Sequence, residues 1–214
     1  MDPTHESPAI DSGPMLNPLT ALGSAVEAVR ARVHNVPRER FVRKHLPAGA
    51  IGAELGVHKG YFTEVLLRAA RPARLHLVDP WYLGGKAWTW GRGNRSTVDG
   101  LRRVLEVSRD GLATGAVQIH VGGDLEFLEG LPDAALDWAY IDTTHDYEHT
   151  CRELQLLRVK VKPAGTIAGD DWRSDPGHRH HGVCRAVREF VAAAGYEITY
   201  ASDDDNQWAI RRAR

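Results

Sequence analysis

Apolar residues are arranged along this chain in two kinds of stretch. Short, continuous apolar runs are typical of strands that are buried on both faces, whereas apolar residues at three- and four-residue intervals predict amphipathic helices. The two kinds alternate, and this alternation predicts a parallel sheet that is covered by helices on both faces. The predicted strands are 51–55, 75–78, 117–121, 136–141 and 166–168, and the predicted helices lie near 61–70, 95–108, 124–129, 147–158 and 183–194.

Two further apolar segments end the chain, and a proline-rich segment begins it. Residues 196–201 and 207–212 flank an Asp-Asp-Asp-Asn turn and predict an antiparallel hairpin. Residues 1–18 contain four prolines and little apolar surface, so we expect a flexible tail there. A short amphipathic helix is predicted at 19–33. Residues 19–214 then form one α/β domain, a doubly wound, mostly parallel sheet of seven strands with the hairpin at its end.

The composition argues against several classes of partner. With 27 basic and 28 acidic residues, the chain has almost no net charge, so no global field attracts nucleic acid or an anionic membrane. Cys151 and Cys184 form neither a zinc-binding spacing nor a disulfide framework. No apolar run approaches the roughly 20 residues that span a bilayer, and the start of the chain lacks a signal pattern. We therefore expect a cytoplasmic protein.

The first predicted strand leads into a loop that contains an acid and two glycines, Glu54, Gly56 and Gly60. In open α/β sheets a ligand binds beyond the carboxyl ends of the strands, and glycine there lets the backbone approach it closely. Alternatively, these glycines only serve a tight turn. The spacing departs from the G-x-G-x-x-G pattern of dinucleotide-binding loops. A pyrophosphate would be repelled by the carboxylate of Glu54, whereas a cationic amino-acid group would not.

Acidic residues also follow the second and third predicted strands. Asp79 ends the second strand, about 20 residues after the glycine loop, where a carboxylate can accept hydrogen bonds from both ribose hydroxyls. Asp124 follows the third strand, and from there its side chain could reach an adenine amino group. A single aspartate at such a position is usually a helix cap. Three acids at successive strand ends make capping alone a poorer explanation.

Three aspartates follow the fourth and fifth predicted strands. Asp142 ends the fourth strand, and Asp170 and Asp171 end the fifth. Adjacent parallel strands would bring these carboxylates together, where they repel one another unless a cation lies among them. Oxygen ligands favour a hard ion, so Mg²⁺ is the expected metal. In the alternative, Asp142 caps the next helix and the other two are solvated loop residues.

Three segments resemble the cofactor motifs of class I S-adenosylmethionine-dependent methyltransferases. They are Glu54-Leu55-Gly56-x-x-x-Gly60, Leu77-Val78-Asp79-Pro80-Trp81 and Gly122-Gly123-Asp124. The resemblance covers about residues 48–212 and implies a Rossmann-like methyltransferase domain that uses S-adenosylmethionine.

The resemblance also implies roles for individual residues. Gly56 and Gly60 would lie against the methionine part of the cofactor, Glu54 near its edge, and Asp79 on the ribose. Phe62 departs from the family, in which many members carry a Ser or Thr that contacts the cofactor. That contact is then lost or moved to the next residue, a threonine.

The fourth and fifth strand ends resemble a magnesium-dependent O-methyltransferase branch. The branch includes macrocin and other sugar O-methyltransferases and, more distantly, catechol O-methyltransferase. This resemblance implies that Asp142, Asp170 and Asp171 are metal ligands and that His145 is the catalytic base. Imidazole suits that task because it titrates near neutral pH. Alternatively, His145 is a structural residue near a helix start.

The acceptor is expected to be a small molecule with a hydroxyl group, and a sugar or glycoside is favoured. Residues 81–93 contain three tryptophans between glycines, and Trp81 begins this candidate acceptor platform; the alternative is a tryptophan cluster packed under a loop. Tyr147 and His181 are further candidate substrate residues. The histidine-rich run 177–182 is not expected to bind zinc, because three neighbouring loop histidines rarely converge on one ion.

Several alternatives concern the class of function. The acceptor could instead be a catechol-like or antibiotic small molecule. A nicotinamide-dependent dehydrogenase is disfavoured by the glycine-loop spacing, and a non-enzymatic binding module by the retained base and ligands. The chain also resembles, less closely, the methyltransferases that cap methylated mannosides in actinobacterial polysaccharide synthesis. A homodimer is expected.

Overall fold

A computed structural model of the protein describes residues 36–81 and 94–213. The predicted tail, the predicted helix at 19–33 and the candidate acceptor platform after Trp81 lie outside these residues. The strands are β1 (Ile51–Leu55), β2 (Arg74–Asp79), β3 (Val117–Val121), β4 (Leu136–Ile141), β5 (Val161–Gly169), β6 (Tyr196–Ala201) and β7 (Trp208–Arg212). The helices are α1 (36–45), α2 (Tyr61–Ala69), α3 (Asn94–Val107), α4 (Arg109–Thr114), α5 (Asp124–Gly130), α6 (Tyr147–Lys160) and α7 (His181–Ala194).

The seven strands form one sheet in the order β3-β2-β1-β4-β5-β7-β6. The first five strands in this order pair in parallel, and β7 runs antiparallel to both β5 and β6. This topology confirms the predicted doubly wound sheet with a terminal hairpin. The sheet order changes direction at β1 and β4, which are neighbours although β2 and β3 lie between them in sequence. A crevice at such a point is where open α/β sheets bind ligands.

The register brings the functional strand ends to one edge. Leu55 of β1 pairs with Val78 of β2 and with Ile141 of β4, so these three strands end at the same level. The ladder continues for one more residue, since the amide of Asp142 donates to the carbonyl of Leu55 at 2.7 Å. The amide of Asp170 likewise donates to the carbonyl of Ile141 at 3.0 Å.

The core lies in two layers, one on each face of the sheet. Helices α5, α6 and α7 cover one face with residues such as Leu128, Leu157 and Phe190. Helices α1 and α2 cover the other with Phe41 and Leu66, among others. Burial of apolar surface on both faces explains why the central strands are continuously apolar instead of alternating.

The structure differs from the predicted elements in three places. The sequence pattern did not predict α1, which carries Phe41 and Val42 into the core between charged residues. It also did not predict the short helix α4. Strand β5 begins at Val161, five residues before its predicted start, because Val161 pairs with Leu136 across a register irregularity. Within the described residues, none of the helices combines the length and apolar character that crossing a membrane requires.

Candidate active site

The glycine loop after β1 passes close to the end of β4. Gly56 has a φ of 84°, and a Cβ atom there would lie 2.0 Å from the carbonyl oxygen of Asp142. Gly60 has a φ of 68°, and a Cβ atom there would lie 2.8 Å from a methyl group of Val104. Both positions therefore require glycine for local reasons, whichever ligand the loop binds.

Glu54 lies near the end of β1 and does not face solvent. Its side chain is buried and accepts a hydrogen bond of 2.7 Å from the hydroxyl of Thr63. Burial raises the pKa of Glu54 to about 8, so the neutral carboxyl form predominates at neutral pH. Thr63, the threonine after Phe62, therefore contacts Glu54, and its contact with a cofactor stays a prediction.

Asp79 holds the same loop from the end of β2. Its Oδ2 atom accepts from the amides of Val57 and His58, at 3.0 and 2.8 Å, and its Oδ1 atom accepts from the amide of Trp81 at 2.7 Å. The Asp79 carboxylate is buried. In this structure it shapes the loop, and its contact with a ribose stays a prediction.

Trp81 is fully buried in the core. Its indole Nε1 donates to the carbonyl of His58 at 2.8 Å, which ties the segment after β2 to the glycine loop. This placement agrees with the alternative of a tryptophan packed under a loop. A buried indole cannot serve as an open platform for an acceptor, so Trp81 is better explained as a support for the glycine loop.

Asp124 forms an ion pair with a histidine that the sequence did not single out. Its Oδ2 atom lies 2.7 Å from Nε2 of His149 on α6. Behind them, Glu153 is fully buried and accepts a hydrogen bond of 2.9 Å from Thr143. Burial and the neighbouring Asp124 charge raise the pKa of Glu153 well above its usual range. Gly123, and not Asp124, occupies the N-cap of α5, so the capping alternative does not explain Asp124.

Asp142, His145 and Asp171 converge where β4 and β5 end. One potential ligand atom from each side chain lies within 4.8 Å of the other two. Nδ1 of His145 is 2.7 Å from Oδ2 of Asp171. His145 and Asp171 both adopt left-handed backbone conformations, with φ of 61° and 59°. Such conformations are strained for residues other than glycine and are concentrated at functional sites.

The electrostatics of this cluster favour a charged pair. Burial lowers the pKa of His145, but the hydrogen bond to Asp171 and the charges of Asp142 and Asp171 outweigh it and raise the pKa overall. Burial likewise disfavours the charged form of Asp171, but the interactions with His145 and His180 lower its pKa overall. The alternative in which Asp142 caps α6 is wrong, because Asp146 is the N-cap and accepts from the amide of His149 at 2.8 Å.

His180 is a site residue that the sequence analysis missed. Its Nδ1 atom lies 2.9 Å from Oδ1 of Asp171, and its ring stacks on that of His145 with centroids 5.0 Å apart. The predicted substrate residue is its neighbour His181, whose Nδ1 atom lies 2.9 Å from the carbonyl oxygen of Arg173. The histidine-rich run gave a signal for this region, but only the backbone path shows which imidazole turns toward Asp171.

Asp170 does not join this cluster. Its Oδ2 atom contacts the guanidinium of Arg38, and its Oδ1 atom accepts a hydrogen bond of 2.6 Å from Gln207. The same Arg38 nitrogen lies 3.1 Å from Asp142. Of the three predicted metal ligands, the structure therefore brings Asp142 and Asp171 together with His145 and holds Asp170 on an arginine. Arg38 lies on α1, which the sequence pattern did not predict.

Tyr147 is the first residue of α6 and is partly buried. Its hydroxyl contacts Glu189, and the guanidinium of Arg185 lies 4.1 Å from its ring centroid. These contacts hold the phenol against α7. Its predicted role in substrate binding stays a prediction.

The donor set at the strand ends fits a divalent cation. Asp142 and Asp171 supply carboxylate oxygens, which Mg²⁺ prefers, and His145 adds an imidazole nitrogen that can bind an ion or act as a base. Two acids close to one another are stabilised by an added positive charge. The arrangement can therefore bind a cation and remove a proton at adjacent positions.

Comparison with known proteins places this site in context. Residues 53–172, more than half of the chain, match the family model of a methyltransferase domain. None of the curated protein sequences matches the chain.

Several solved structures share the fold. The cofactor-bound Rv0187 protein from MTB has a TM-score of 0.60 at 17% identity, with 91% of each chain covered. A SAM-dependent methyltransferase from Aquifex aeolicus has a TM-score of 0.58 at 16% identity, covering 84% of this chain and 90% of that one. SMU.1697c, a putative methyltransferase from Streptococcus mutans in complex with SAH, has a TM-score of 0.53 at 12% identity, covering 81% and 93%.

Proposed function

This chain belongs to the methyltransferase-domain family, and from that premise we propose that it is a class I S-adenosylmethionine-dependent methyltransferase that methylates a hydroxyl group with the help of Mg²⁺. The observation that carries the proposal is the convergence of Asp142, His145 and Asp171 at the carboxyl edge of the sheet, beside the glycine loop. The acceptor that we propose is a small polar molecule, with a sugar or glycoside first. A methylated mannoside is one such acceptor.

The cofactor would lie along the ends of β1, β2 and β3. The loop from Glu54 to Gly60 approaches the end of β4 closely, so a methionine group bound on this loop would lie next to Asp142. Asp79 sets the conformation of that loop through two backbone amides. Asp124, held by His149, is available at the end of β3 for the adenine side.

Asp142 and Asp171 would hold the ion, with Asp170 able to contribute if its contact with Arg38 were broken. When bound, Mg²⁺ lowers the pKa of a hydroxyl that it ligates and orients that hydroxyl. A carboxylate pair with further positions filled by water or acceptor oxygens is the usual form of an Mg²⁺ site. An acceptor with two neighbouring hydroxyls suits such a site.

His145 is the proposed general base. Its Nδ1 atom faces Asp171, so the neutral ring keeps its proton on Nδ1 and its lone pair on Nε2. The Asp171 carboxylate also stabilises the imidazolium that forms when Nε2 takes the hydroxyl proton. S-adenosylmethionine, held on the loop from Glu54 to Gly60, would supply the methyl group, and His145 and Asp142 would hold the deprotonated acceptor oxygen in line with it. Holding the reacting atoms at about 3–3.5 Å and collinear supplies much of the acceleration.

The test is a methyl-transfer screen with small glycosides, sugar nucleotides and catechols, with Mg²⁺ and with chelator. We expect turnover to disappear in chelator, while S-adenosylmethionine binding, measured by calorimetry, is largely retained. Asp171→Asn should lower turnover about 10- to 100-fold, and Asp133→Asn, an exposed aspartate paired with Lys160, is the matched control. Undiminished turnover in chelator would remove the metal from the proposal, and methylation of only nitrogen or carbon acceptors would remove O-methylation.

A further inference from the structure

Arg38 is a buried cation at a place where the sequence predicted a metal ion. Its side chain is 9% exposed, although it comes from α1, outside the strand ends that build the site. One guanidinium nitrogen contacts Oδ2 of both Asp142 and Asp170. The guanidinium also lies 4.7 Å from the ring centroid of Phe62, at the start of α2.

The Asp170 end of this contact is rigidly held. Gln207 donates to Oδ1 of Asp170 at 2.6 Å and accepts from the hydroxyl of Tyr140 at 2.5 Å. The indole of Trp208 donates to the carbonyl oxygen of Asp170 at 2.9 Å. Tyr140, Gln207 and Trp208 are all fully buried. Both carboxylate oxygens of Asp170 are thus occupied, one by an amide and the other by the arginine.

Asp142 belongs to two groups at once. Its carboxylate is one of the three converging side chains with His145 and Asp171, and its Oδ2 atom is also 3.1 Å from Arg38. A metal ion needs carboxylate lone pairs that point at it, and an ion ligated by Asp142 would lie close to the positive guanidinium. Binding of both cations to this carboxylate is unfavourable, because the ion and the guanidinium repel each other and this repulsion is weakly screened in a buried site.

We propose that Arg38 is the resident counter-cation of this site, and that a divalent ion binds by displacing its guanidinium from Asp142 and, when Asp170 also becomes a ligand, from Asp170. The inference rests on the metal site of the proposed function. It makes α1 part of the cation site, and it makes Arg38 a residue that sets the affinity for the ion.

Removing Arg38 should then have two effects of opposite sign. Without the ion, two partly buried carboxylates lose their partner, and an uncompensated buried charge destabilises a fold. With the ion, no competitor has to leave, so the ion binds more tightly. A purely structural arginine would not produce this pattern, because loosening the site would weaken both the fold and the binding of the ion.

The experiment is Mg²⁺ titration calorimetry on the full chain, with Arg38→Gln, Arg38→Lys and the control Arg43→Gln. Arg43 lies on the same helix and pairs with Glu39 on the surface. We expect Mg²⁺ to bind Arg38→Gln about tenfold more tightly than the unmodified protein, a difference of about 1.4 kcal/mol. Thermal unfolding in chelator should occur at lower temperature for this variant. Arg38→Lys should bind with intermediate affinity, and Arg43→Gln should match the unmodified protein.

The outcomes separate this inference from the proposed function. If neither the unmodified protein nor Arg38→Gln binds Mg²⁺, the proposed metal site fails and the inference fails with it. If both bind with equal affinity, or the variant binds more weakly, only the role of Arg38 is overturned. Should Arg38→Gln not fold, the Nε–H signal of Arg38 in the unmodified protein decides the matter by NMR. The chemical shift of this signal should change on addition of Mg²⁺, whereas that of the Arg43 signal should not. An unchanged chemical shift for Arg38 would overturn the inference.

Discussion

Two pairs of neighbouring histidines in this protein have opposite electrostatic environments. His76 and His120 lie side by side on β2 and β3, with Nδ1 of the first 3.0 Å from Nε2 of the second. His145 and His180 stack at the strand ends, and each places Nδ1 within 2.9 Å of a different oxygen of Asp171. Burial and the neighbouring imidazole lower the pKa of His76 to about 4. The pKa of His145 is raised, because Asp171 and Asp142 outweigh its burial.

The difference shows that neighbours decide what a histidine does. The first pair contacts Phe127 and packs as neutral rings, which is a structural use of the residue. In the second pair, Asp171 favours the protonated form of His145, so this ring can exchange a proton.

Replacing His145 should have the largest effect on turnover. We expect His145→Ala to lose roughly 10²- to 10⁴-fold in kcat, the usual range for a positioned general base, while it still binds S-adenosylmethionine and Mg²⁺. His76→Phe is the matched control from the first pair and should keep its turnover. Steady-state kinetics and calorimetry measure both. A near-normal rate for His145→Ala would return this histidine to a structural role.

Replacing Asp171 should make the second pair resemble the first. In Asp171→Asn, the carboxylate that raises the pKa of His145 is absent, so burial should lower the pKa of His145. Two-dimensional NMR titration of the metal-free protein should show this fall for His145. Turnover should fall about 10- to 100-fold, as is usual when the partner of a functional histidine is lost. An unchanged His145 pKa would mean that Asp142 alone sustains it.

Replacing His76 should change stability in acid and leave activity intact. Because the folded pKa of His76 is about 4 and the unfolded value is near 6.5, the unfolded chain binds more protons between these values. Its stabilisation is therefore fully present above pH 6.5 and is lost as the pH falls to about 4, by up to about 3 kcal/mol. His76→Phe should lose less stability than the unmodified protein over this range in urea unfolding. If the free energy of unfolding depends on pH in the same way in both proteins, His76 and His120 do not form a neutral pair.

Replacing His149 should change the free energy of unfolding only slightly, and with a pH dependence opposite to that of His76. Its pKa is raised, chiefly by the hydrogen bond to Asp124, so its stabilisation is present below pH 6.5 and is lost as the pH rises through the folded pKa. His149→Gln should therefore be destabilised at pH 6 and closer to the unmodified protein at pH 9. Urea unfolding at both values measures this. If His149→Gln lowers the free energy of unfolding equally at both pH values, packing and not the charge on His149 stabilises the contact.

Sequence reasoning reached the strand ends because their signal is local. Continuous apolar runs predicted β1 to β4 within one residue, and parallel strands must end at a common edge, so Asp142 and Asp171 were expected to meet. The same reasoning did not predict that Asp170 contacts Arg38, because adjacent residues at a strand end can turn in different directions, and its role as a metal ligand stays a prediction. Sequence reasoning also did not predict that Trp81 is buried, because aromatic residues beside glycines show the same sequence pattern whether they are exposed or buried.

The sequence by itself determined the doubly wound fold, the edge at which the site lies, and the methyltransferase resemblance, because each depends on local periodicity or on short motifs. Only the tertiary structure decided which side chains share a carboxylate. Arg38 is 104 residues from Asp142 in sequence, and His180 reaches Asp171 through a loop whose path no periodicity describes. Contacts between residues so far apart depend on how helices pack on the sheet, and packing is a property of the whole chain.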